Sequence, residues 1–225
     1  MVDSKKIIIA LDYDHIDNAL ALADNLNPEL CRLKIGKELF TKYGPQIVSQ
    51  IQKKGFEIFL DLKFHDIPTT VYKACISAFS LNVWMLNIHL SGGLDMAEAA
   101  MKAKLDCESS SKIIGVTVLT SLSDQDCLNI YGCSRENELL RLKDVALEAE
   151  LDGFVCSPYD IHVLQDSTKI YVTPGIRFGD DKQDHHKAAG PKEALNLGSH
   201  YLVIGRSITD NVNPNGILEK ILNSL

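Results

Sequence analysis

The segment formed by residues 57–66, EIFLDLKFHD, begins as an apolar run and ends in charged residues. Its apolar part does not alternate with polar residues, which is typical of a parallel strand covered on both faces. Side chains alternate along a strand, so Asp61 and Lys63 are expected on one face at its carboxyl end, with Asp66 in the following loop. Two carboxylates keep a nearby ammonium charged, which suits a proton donor or an anion clamp better than a Schiff-base nucleophile. A salt-bridged strand end without a chemical role is the alternative for these residues alone.

Seven further apolar runs of similar length alternate with amphipathic segments of helical spacing. This pattern predicts eight parallel strands and about eight helices, the (β/α)8 TIM barrel of the α/β class, in a single domain of residues 1–225. A doubly wound sheet is the alternative, but the chain lacks an early G-x-G-x-x-G turn. The predicted strands are residues 7–12, 31–36, 57–63, 83–89, 112–120, 152–157, 170–176 and 201–206, and residues 121–136 and 178–190 are predicted to be long loops.

Composition and charge exclude several classes of protein. The net charge is −7 and the isoelectric point is about 5.5, which argues against nucleic acid or an anionic membrane surface as the main partner. The polar start of the chain indicates no signal peptide, and no apolar stretch approaches the roughly 20 residues that span a bilayer. The six cysteines include no C-x-x-C pair, so we expect small buried residues in a reducing cytoplasm rather than disulfides or a zinc site.

Polar residues gather where the predicted strands end, and in a (β/α)8 barrel this is the end that carries the active site. Two of these strand ends, TPGIR at residues 173–177 and VIGRS at residues 203–207, each combine a glycine with an arginine. Exposed backbone N–H groups beside a guanidinium predict a phosphate site that uses Arg177 and Arg206. His89 is interpreted as a core histidine at the barrel end. The acidic residues Asp180, Asp181 and Asp184 are interpreted as a solvated loop, and no metal site is predicted.

The block FLDLKFHDIPTTV, residues 59–71, resembles the signature of the orotidine 5′-phosphate decarboxylase family. Further matching motifs follow in the same order and separation, so the resemblance spans nearly the whole chain. It implies the decarboxylation of orotidine 5′-phosphate to UMP, the last step of de novo pyrimidine synthesis, by a cytoplasmic homodimer without metal or organic cofactor. The further motifs are IALD at 9–12, LKIG at 33–36, NIH at 87–89, VTVLTS at 116–121, TPGIR at 173–177 and VIGR at 203–206.

The same resemblance implies a role for each matching residue. Lys63 would protonate C6 of the pyrimidine as CO2 leaves, and Asp61 would lie beside the substrate carboxylate. Asp66 would reach into the partner subunit's site and complete a charge array with Lys34. The implied substrate contacts are Asp12 and Thr70 on the ribose, with Thr70 donated across the dimer interface, Thr120 and Ser121 at the pyrimidine, and Arg177, Gly205 and Arg206 on the phosphate.

The sequence departs from the family pattern at two positions and leaves two other functions open. His185 stands where the family has a phosphate-loop glutamine, and Gln183 is the alternative if the loop is threaded differently. Ser207 replaces the usual proline, for which we expect little effect. The first alternative function is a metal-dependent sugar-phosphate decarboxylase or synthase of the same barrel superfamily. The second is a catalytically silent nucleotide-binding barrel, which would need a broken charge array, whereas all four charged residues are present.

Overall fold

The structure, a computed structural model, describes residues 5–179 and 189–225. Eight parallel strands follow in the order β1 to β8 and close into a barrel, with helices between them, so the predicted (β/α)8 fold is confirmed. The strands are β1 (Ile7–Ala10), β2 (Cys31–Gly36), β3 (Ile58–Phe64), β4 (Met85–His89), β5 (Lys112–Val116), β6 (Gly153–Val155), β7 (Ile170–Thr173) and β8 (Tyr201–Ile204). The α-helices of the described residues are α1 (Ile16–Asp24), α2 (Lys37–Tyr43), α3 (Gln46–Gln52), α4 (Pro68–Phe79), α5 (Leu94–Asp106), α6 (Asp124–Tyr131), α7 (Arg135–Glu148), α8 (Ile161–Leu164), α9 (Pro191–Asn196), α10 (Arg206–Thr209) and α11 (Pro214–Asn223).

The chain divides into two compact units. The first unit comprises Met1–Asp61 and Thr173–Leu225, and the second comprises Leu62–Val172. In the first unit β1 pairs with β2 and β8, and β2 pairs with β3. In the second unit β4 pairs with β5, β5 with β6, and β6 with β7. Because neighbouring strands within a unit are parallel, their carboxyl ends lie at the same edge. The domain bounds of residues 1–225 stay a prediction.

The strands are buried on both faces, which explains their continuously apolar sequences. Every residue of β1, β2 and β8 is buried. Arg32 on β2 is buried with these apolar residues although its side chain is charged. Its guanidinium donates to the carbonyl oxygen of Lys5 at 2.6 Å, lies 2.9 Å from the carboxylate of Glu57, and packs over the ring of Tyr201. A buried charge is tolerated here because it is paired and hydrogen-bonded.

Several strands end earlier than the sequence predicted. β1 ends at Ala10, β5 at Val116, β6 at Val155 and β7 at Thr173. Apolar residues beyond these strand ends are still buried, as Val118 and Ile176 show at 2% exposure although neither belongs to a strand. Hydrophobicity therefore reports burial, and burial continues into the loops that cover the strand ends.

The predicted long loop at residues 121–136 is wrong, because it contains helix α6 and the start of α7. Ser123 caps α6: its hydroxyl accepts from the backbone N–H of Asp126, whose carboxylate accepts from the N–H of Ser123. This reciprocal capping box satisfies two N–H groups that a helix start leaves without partners. The second predicted loop, at residues 178–190, lies mostly outside the described residues.

The start of α4 was predicted in part. Pro68 occupies the first helical turn as expected, since its missing N–H is no loss there. An aspartate two residues before this proline predicts Asp66 as the helix cap, but the cap residue is Ile67 and it makes no side-chain cap hydrogen bond. The carboxylate of Asp66 instead accepts from the backbone N–H of Ile67 at 2.7 Å. This local bond turns the chain at the end of β3.

All six cysteines are free, and the expectation of burial holds for four of them. Burial raises the pKa of the Cys31 thiol and of the Cys75 thiol to about 12. These groups therefore stay protonated at neutral pH and pack as small apolar side chains. The four buried thiols are Cys31, Cys75, Cys127 and Cys156, whereas Cys107 is exposed and Cys133 is partly exposed.

Candidate active site

In the first unit, the ammonium of Lys34 joins two carboxylates at the ends of neighbouring strands. Its Nζ lies 3.1 Å from Oδ1 of Asp12, which follows β1, and 3.3 Å from Oδ2 of Asp61 on β3. The Lys34 side chain is 9% exposed and that of Asp61 is 11% exposed, whereas that of Asp12 is 66% exposed. Three residues predicted from separate motifs thus form one ion-pair cluster, two of whose members are shielded from water.

The cluster fixes the charge of Lys34. Burial on its own lowers the pKa of Lys34, but the charges of Asp61 and Asp12 and their hydrogen bonds outweigh burial, so the pKa is raised. Gly36 leaves room for this arrangement, because a Cβ there would lie 3.2 Å from Nζ of Lys34 and 3.4 Å from the Asp12 carboxylate. The site therefore holds a permanent buried cation beside a buried carboxylate.

Lys63 lies two residues after Asp61 on β3, in the second unit, and has an unusual backbone conformation. Its φ is +50°, in the left-handed region, although it is not a glycine. This conformation costs an L-residue roughly 1–2 kcal/mol and persists only where the surroundings hold it. The backbone N–H of Lys63 donates to Oδ1 of Asn87 on β4 at 2.8 Å. Asn87 lies near the end of the predicted strand 83–89, but the sequence does not reveal this contact, because a side chain bonded to a backbone group leaves no pattern in the sequence.

The segment between β3 and α4 presents polar groups to solvent. Asp66 and Thr70, both predicted to act across a dimer interface, are exposed. Ile67 between them is 66% exposed, which is unusual for a large apolar residue that begins a helix. His65 and His89 lie close by in the second unit, with ring centroids 5.4 Å apart and a tilt of 39°. His89 is half-buried, consistent with a packing role at the strand end.

Thr120 and Ser121 are the two central residues of a turn that follows β5. The backbone N–H of Leu122 donates to the carbonyl of Leu119 at 3.1 Å, so both hydroxyl-bearing residues lie exposed at the tip. Arg135 at the start of α7 holds both ends of this turn. Its Nη1 donates to the carbonyl oxygens of Leu119 and Leu122 at 3.4 and 3.3 Å.

Arg135 is itself held by Asp160, which follows β6. Its Nε lies 3.2 Å from Oδ1 and its Nη2 lies 2.7 Å from Oδ2, a bidentate pair. Asp160 is 8% exposed, so the pair is largely desolvated. A bidentate pair fixes both the position and the orientation of the guanidinium. Arg135 was not predicted from the sequence, because a charged residue at a helix start is normally an exposed one.

The predicted phosphate residues lie in the first unit, on the loops after β7 and β8. Gly205 follows β8 directly, Arg206 begins α10 and is exposed, and Arg177 is half-buried. The hydroxyl of Ser207 accepts from the backbone N–H of Phe178 at 3.3 Å and so ties the two loops together. The serine at the usual proline position therefore has a structural partner that the sequence did not reveal. His185 and Gln183 lie outside the described residues.

Residues 5–179 and 189–225 contain neither a metal-binding cluster nor a membrane-spanning helix. In that part of the chain, His, Cys, Asp and Glu side chains form no group of three that could hold a metal ion. Asp180, Asp181 and Asp184 lie outside it. Within the same described residues, no helix combines the length and the apolar character needed to cross a membrane.

A (β/α)8 barrel with ion-paired lysine and aspartate at its strand ends has the architecture of an enzyme, and comparison with known proteins identifies which kind. Residues 5–221 match the family described as orotidine 5′-phosphate decarboxylase / HUMPS family, so the chain belongs to this family. The family and fold predicted from the sequence are confirmed.

Two relatives that are 47% and 48% identical to this chain carry the same name. Orotidine 5′-phosphate decarboxylase of Shewanella sediminis is 47% identical over 100% of this chain and 98% of its own. The enzyme of the same name from Nitrosococcus oceani is 48% identical over 95% of this chain and 94% of its own. A crystal structure of orotidine 5′-phosphate decarboxylase from Lactobacillus acidophilus superposes with a TM-score of 0.85 at 32% identity, covering 97% of this chain and 98% of that one. The predicted enzyme class, a carboxy-lyase, is confirmed.

Proposed function

We propose that this chain decarboxylates orotidine 5′-phosphate to UMP, the final step of de novo pyrimidine synthesis, without metal or organic cofactor. The name shared by the full-length relatives supports this substrate. The observation that carries the chemical part of the proposal is the buried pair of Lys34 on β2 and Asp61 on β3, because Asp61 precedes Lys63 by two residues on β3.

The proposed reaction uses Lys63 as the acid. The bond between C6 and the carboxylate carbon breaks, CO2 leaves with that carbon, and the electron pair stays at C6. Lys63 then gives a proton to C6 and is itself reprotonated from solvent. Charge developing at C6 needs a fixed positive group nearby, and an ammonium already oriented by its backbone needs no reorganisation at that moment. The left-handed backbone at Lys63 supports such pre-orientation.

Lys34 and Asp61 have different proposed roles in the same charge array. Asp61 lies beside the substrate carboxylate, where a like charge favours the neutral product CO2 over the bound anion. Lys34 places a positive charge 3.3 Å from the Asp61 carboxylate, and the raised pKa of Lys34 keeps that ammonium charged. Asp12 accepts from the same ammonium and is exposed enough to reach a ribose hydroxyl as well.

The remaining substrate contacts follow from the exposed polar groups. Thr120 and Ser121 offer two hydroxyls at the tip of a turn held by Arg135, which suits recognition of a pyrimidine edge. The phosphate is assigned to Arg177, Gly205, Arg206 and His185. Binding a remote phosphate contributes energy that orients the pyrimidine at the charged cluster.

We also propose a homodimer in which Asp66 and Thr70 complete the partner's site. Their exposure and that of the apolar Ile67 between them support an interface at this segment. Subunit mixing tests this proposal. Lys63→Ala and Asp66→Ala subunits should each be inactive alone, but a mixed dimer would contain one intact site if Asp66 crosses the interface. Random mixing should then restore about a quarter of the wild-type activity, since half of the C2 dimers are mixed. No recovery after verified exchange would refute the crossing.

The competing functions make different predictions. A metal-dependent sugar-phosphate synthase or decarboxylase would lose activity in EDTA and would not consume orotidine 5′-phosphate. A silent nucleotide-binding barrel would bind UMP without turnover. The hydroxyl pair at Thr120 and Ser121 and the complete set of charged residues favour the nucleotide decarboxylase.

Replacing Lys63 tests the proposed acid. Lys63→Ala should abolish turnover, monitored by the ultraviolet absorbance of orotidine 5′-phosphate, while UMP still binds in a calorimetric titration. Lys220→Ala is the matched control, because Lys220 is an exposed lysine on α11 with no proposed role. Turnover of Lys63→Ala close to that of Lys220→Ala would remove Lys63 from the mechanism.

A further inference from the structure

Asn87 occupies a position where an apolar residue would be expected. It is the central residue of β4, is 1% exposed, and has neighbours on either side, Leu86 and Ile88, that are fully buried. Asparagine is a poor strand former, and burying its amide is costly unless hydrogen bonds compensate. Packing alone therefore does not explain an asparagine at this position.

The contact that Asn87 makes gives this reason. Its Oδ1 accepts from the backbone N–H of Lys63 at 2.8 Å, at the residue whose φ is +50°. The angle φ sets the direction of the Cα–Cβ bond relative to the N–H of the same residue. An N–H held by Asn87 at a φ of +50° therefore also determines the direction in which the Lys63 side chain leaves the backbone.

The position of Asn87 is itself rigidly defined. β4 pairs with β5 in a continuous register, with Asn87 opposite Ile114. A short buried side chain on a paired strand has few rotamers open to it. Its carbonyl oxygen is therefore a fixed acceptor, better suited to hold a strained backbone than a group on a mobile loop.

We propose that Asn87 is a positioning residue for Lys63: its amide oxygen holds the Lys63 backbone in the left-handed conformation and so directs the ammonium toward the reacting carbon. This inference rests on the proposed function, in which Lys63 is the acid. Asn87 itself touches neither substrate nor reacting atoms in this account. It acts through the backbone of Lys63.

Three variants test the proposal. Asn87→Ala removes the acceptor, Asn87→Asp keeps an oxygen at the same place, and Ser111→Ala is the matched control. Like Asn87, Ser111 is buried and bonds to a backbone group: its hydroxyl donates to the carbonyl oxygen of Val83 at 2.5 Å. It lies before the amino end of β5, away from the strand ends that carry the proposed site. Each variant is first checked for folding by circular dichroism and thermal unfolding.

We expect Asn87→Ala to lower kcat by about 10- to 100-fold, the scale of loss produced by misplacing a reacting group by about 1 Å. KM should change by less than about 3-fold, because the phosphate and ribose contacts are untouched. Asn87→Asp should recover part of kcat, because the acceptor oxygen returns but a carboxylate at a 1% exposed position is costly to bury. Ser111→Ala should lose thermal stability but keep the wild-type kcat. A kcat for Asn87→Ala within about 2-fold of the control would overturn the proposal.

A second readout follows the proton alone. By microscopic reversibility, neutral Lys63 can take the C6 proton of UMP, leave the electron pair at C6, and return a deuteron from D2O. This exchange, observed by NMR, should slow in Asn87→Ala in parallel with kcat. Unchanged exchange would contradict the proposal.

A crystal structure of Asn87→Ala separates this inference from the proposed function. Lys63 should leave the left-handed region in that variant whatever the substrate is. A retained φ near +50° would refute the positioning role even if the wild type proves to be the decarboxylase. If the wild type does not turn over orotidine 5′-phosphate but Lys63 leaves the left-handed region in Asn87→Ala, the proposed function is refuted. The role of Asn87 in holding the Lys63 backbone would then still stand.

Discussion

Replacement of Lys34 by methionine should separate the buried part of its ion-pair cluster from the exposed part. The two carboxylates are nearly equidistant from Nζ, at 3.1 Å for Asp12 and 3.3 Å for Asp61, so distance does not distinguish them. Burial does distinguish them, because the Asp12 side chain is 66% exposed and the Asp61 side chain is 11% exposed. An exposed pair contributes about 0–1 kcal/mol, whereas removing one partner of a buried pair costs roughly 3–5 kcal/mol. We expect Lys34→Met to lower the free energy of unfolding by about 3 kcal/mol. This value is at the lower end of the range for a buried pair, because the Asp12 side of the cluster is exposed to water.

Two double variants assign this cost. Each is unfolded in urea, and the free energy of unfolding is extrapolated to zero denaturant. Adding Asp61→Asn to Lys34→Met should recover about 1–3 kcal/mol, because no uncompensated buried charge remains. Adding Asp12→Asn should recover less than about 0.5 kcal/mol, because that carboxylate is already hydrated. Equal recovery by both, or a cost of Lys34→Met below about 1 kcal/mol, would refute the reasoning from burial.

The raised pKa of Lys34 gives this contribution a defined pH dependence. An amine whose pKa is higher in the folded state stabilises the protein fully below its unfolded pKa, about 10.4 for lysine. The contribution is lost as the pH rises through the still higher folded pKa. The difference between wild type and Lys34→Met should therefore be constant from about pH 7 to 9 and shrink above about pH 10.4. A decline that begins near pH 8 would contradict the assignment.

Three further predictions concern other parts of the chain. Arg135→Lys keeps the positive charge but loses the bidentate pair with Asp160. It should lower the free energy of unfolding by about 1–3 kcal/mol and raise KM more than it lowers kcat. Unchanged steady-state kinetics would show that Arg135 does not support the turn that carries Thr120 and Ser121. Gly153→Ala should destabilise by about 1–3 kcal/mol or prevent folding, because a Cβ would lie 2.0 Å from the carbonyl oxygen of Ile170, and a thermal melt equal to wild type would be inconsistent with that contact. Maleimide should modify Cys107 first in the native protein, with the four buried thiols reacting only after unfolding, and mass spectrometry of the labelled peptides would expose any early reaction at a buried site.

The fold was predictable because parallel strands covered on both faces have a distinctive sequence. The bounds of β2 were predicted correctly, since its apolar run ends at Gly36 where pairing also ends. β5 was predicted too long, because Val118 is buried in a loop as thoroughly as a strand residue. Helix α6 was missed because a short, polar helix depends on its capping box rather than on an apolar stripe.

The candidate site was predictable to the extent that it consists of charged residues at strand ends. The cluster of Asp12, Lys34 and Asp61 follows from this rule together with parallel pairing. Asn87 and Arg135 were not predictable as supports, because each acts on backbone atoms of another segment. Such contacts depend on three-dimensional proximity and leave no spacing in the sequence.

Turnover of orotidine 5′-phosphate by the purified chain in the presence of EDTA tests whether the protein is a metal-independent decarboxylase. The reaction is followed by loss of the substrate's ultraviolet absorbance, and the product is identified by mass spectrometry. We expect conversion to UMP at the same rate with and without EDTA. Activity that requires a divalent metal, or a folded protein that binds UMP but releases no CO2, would contradict it.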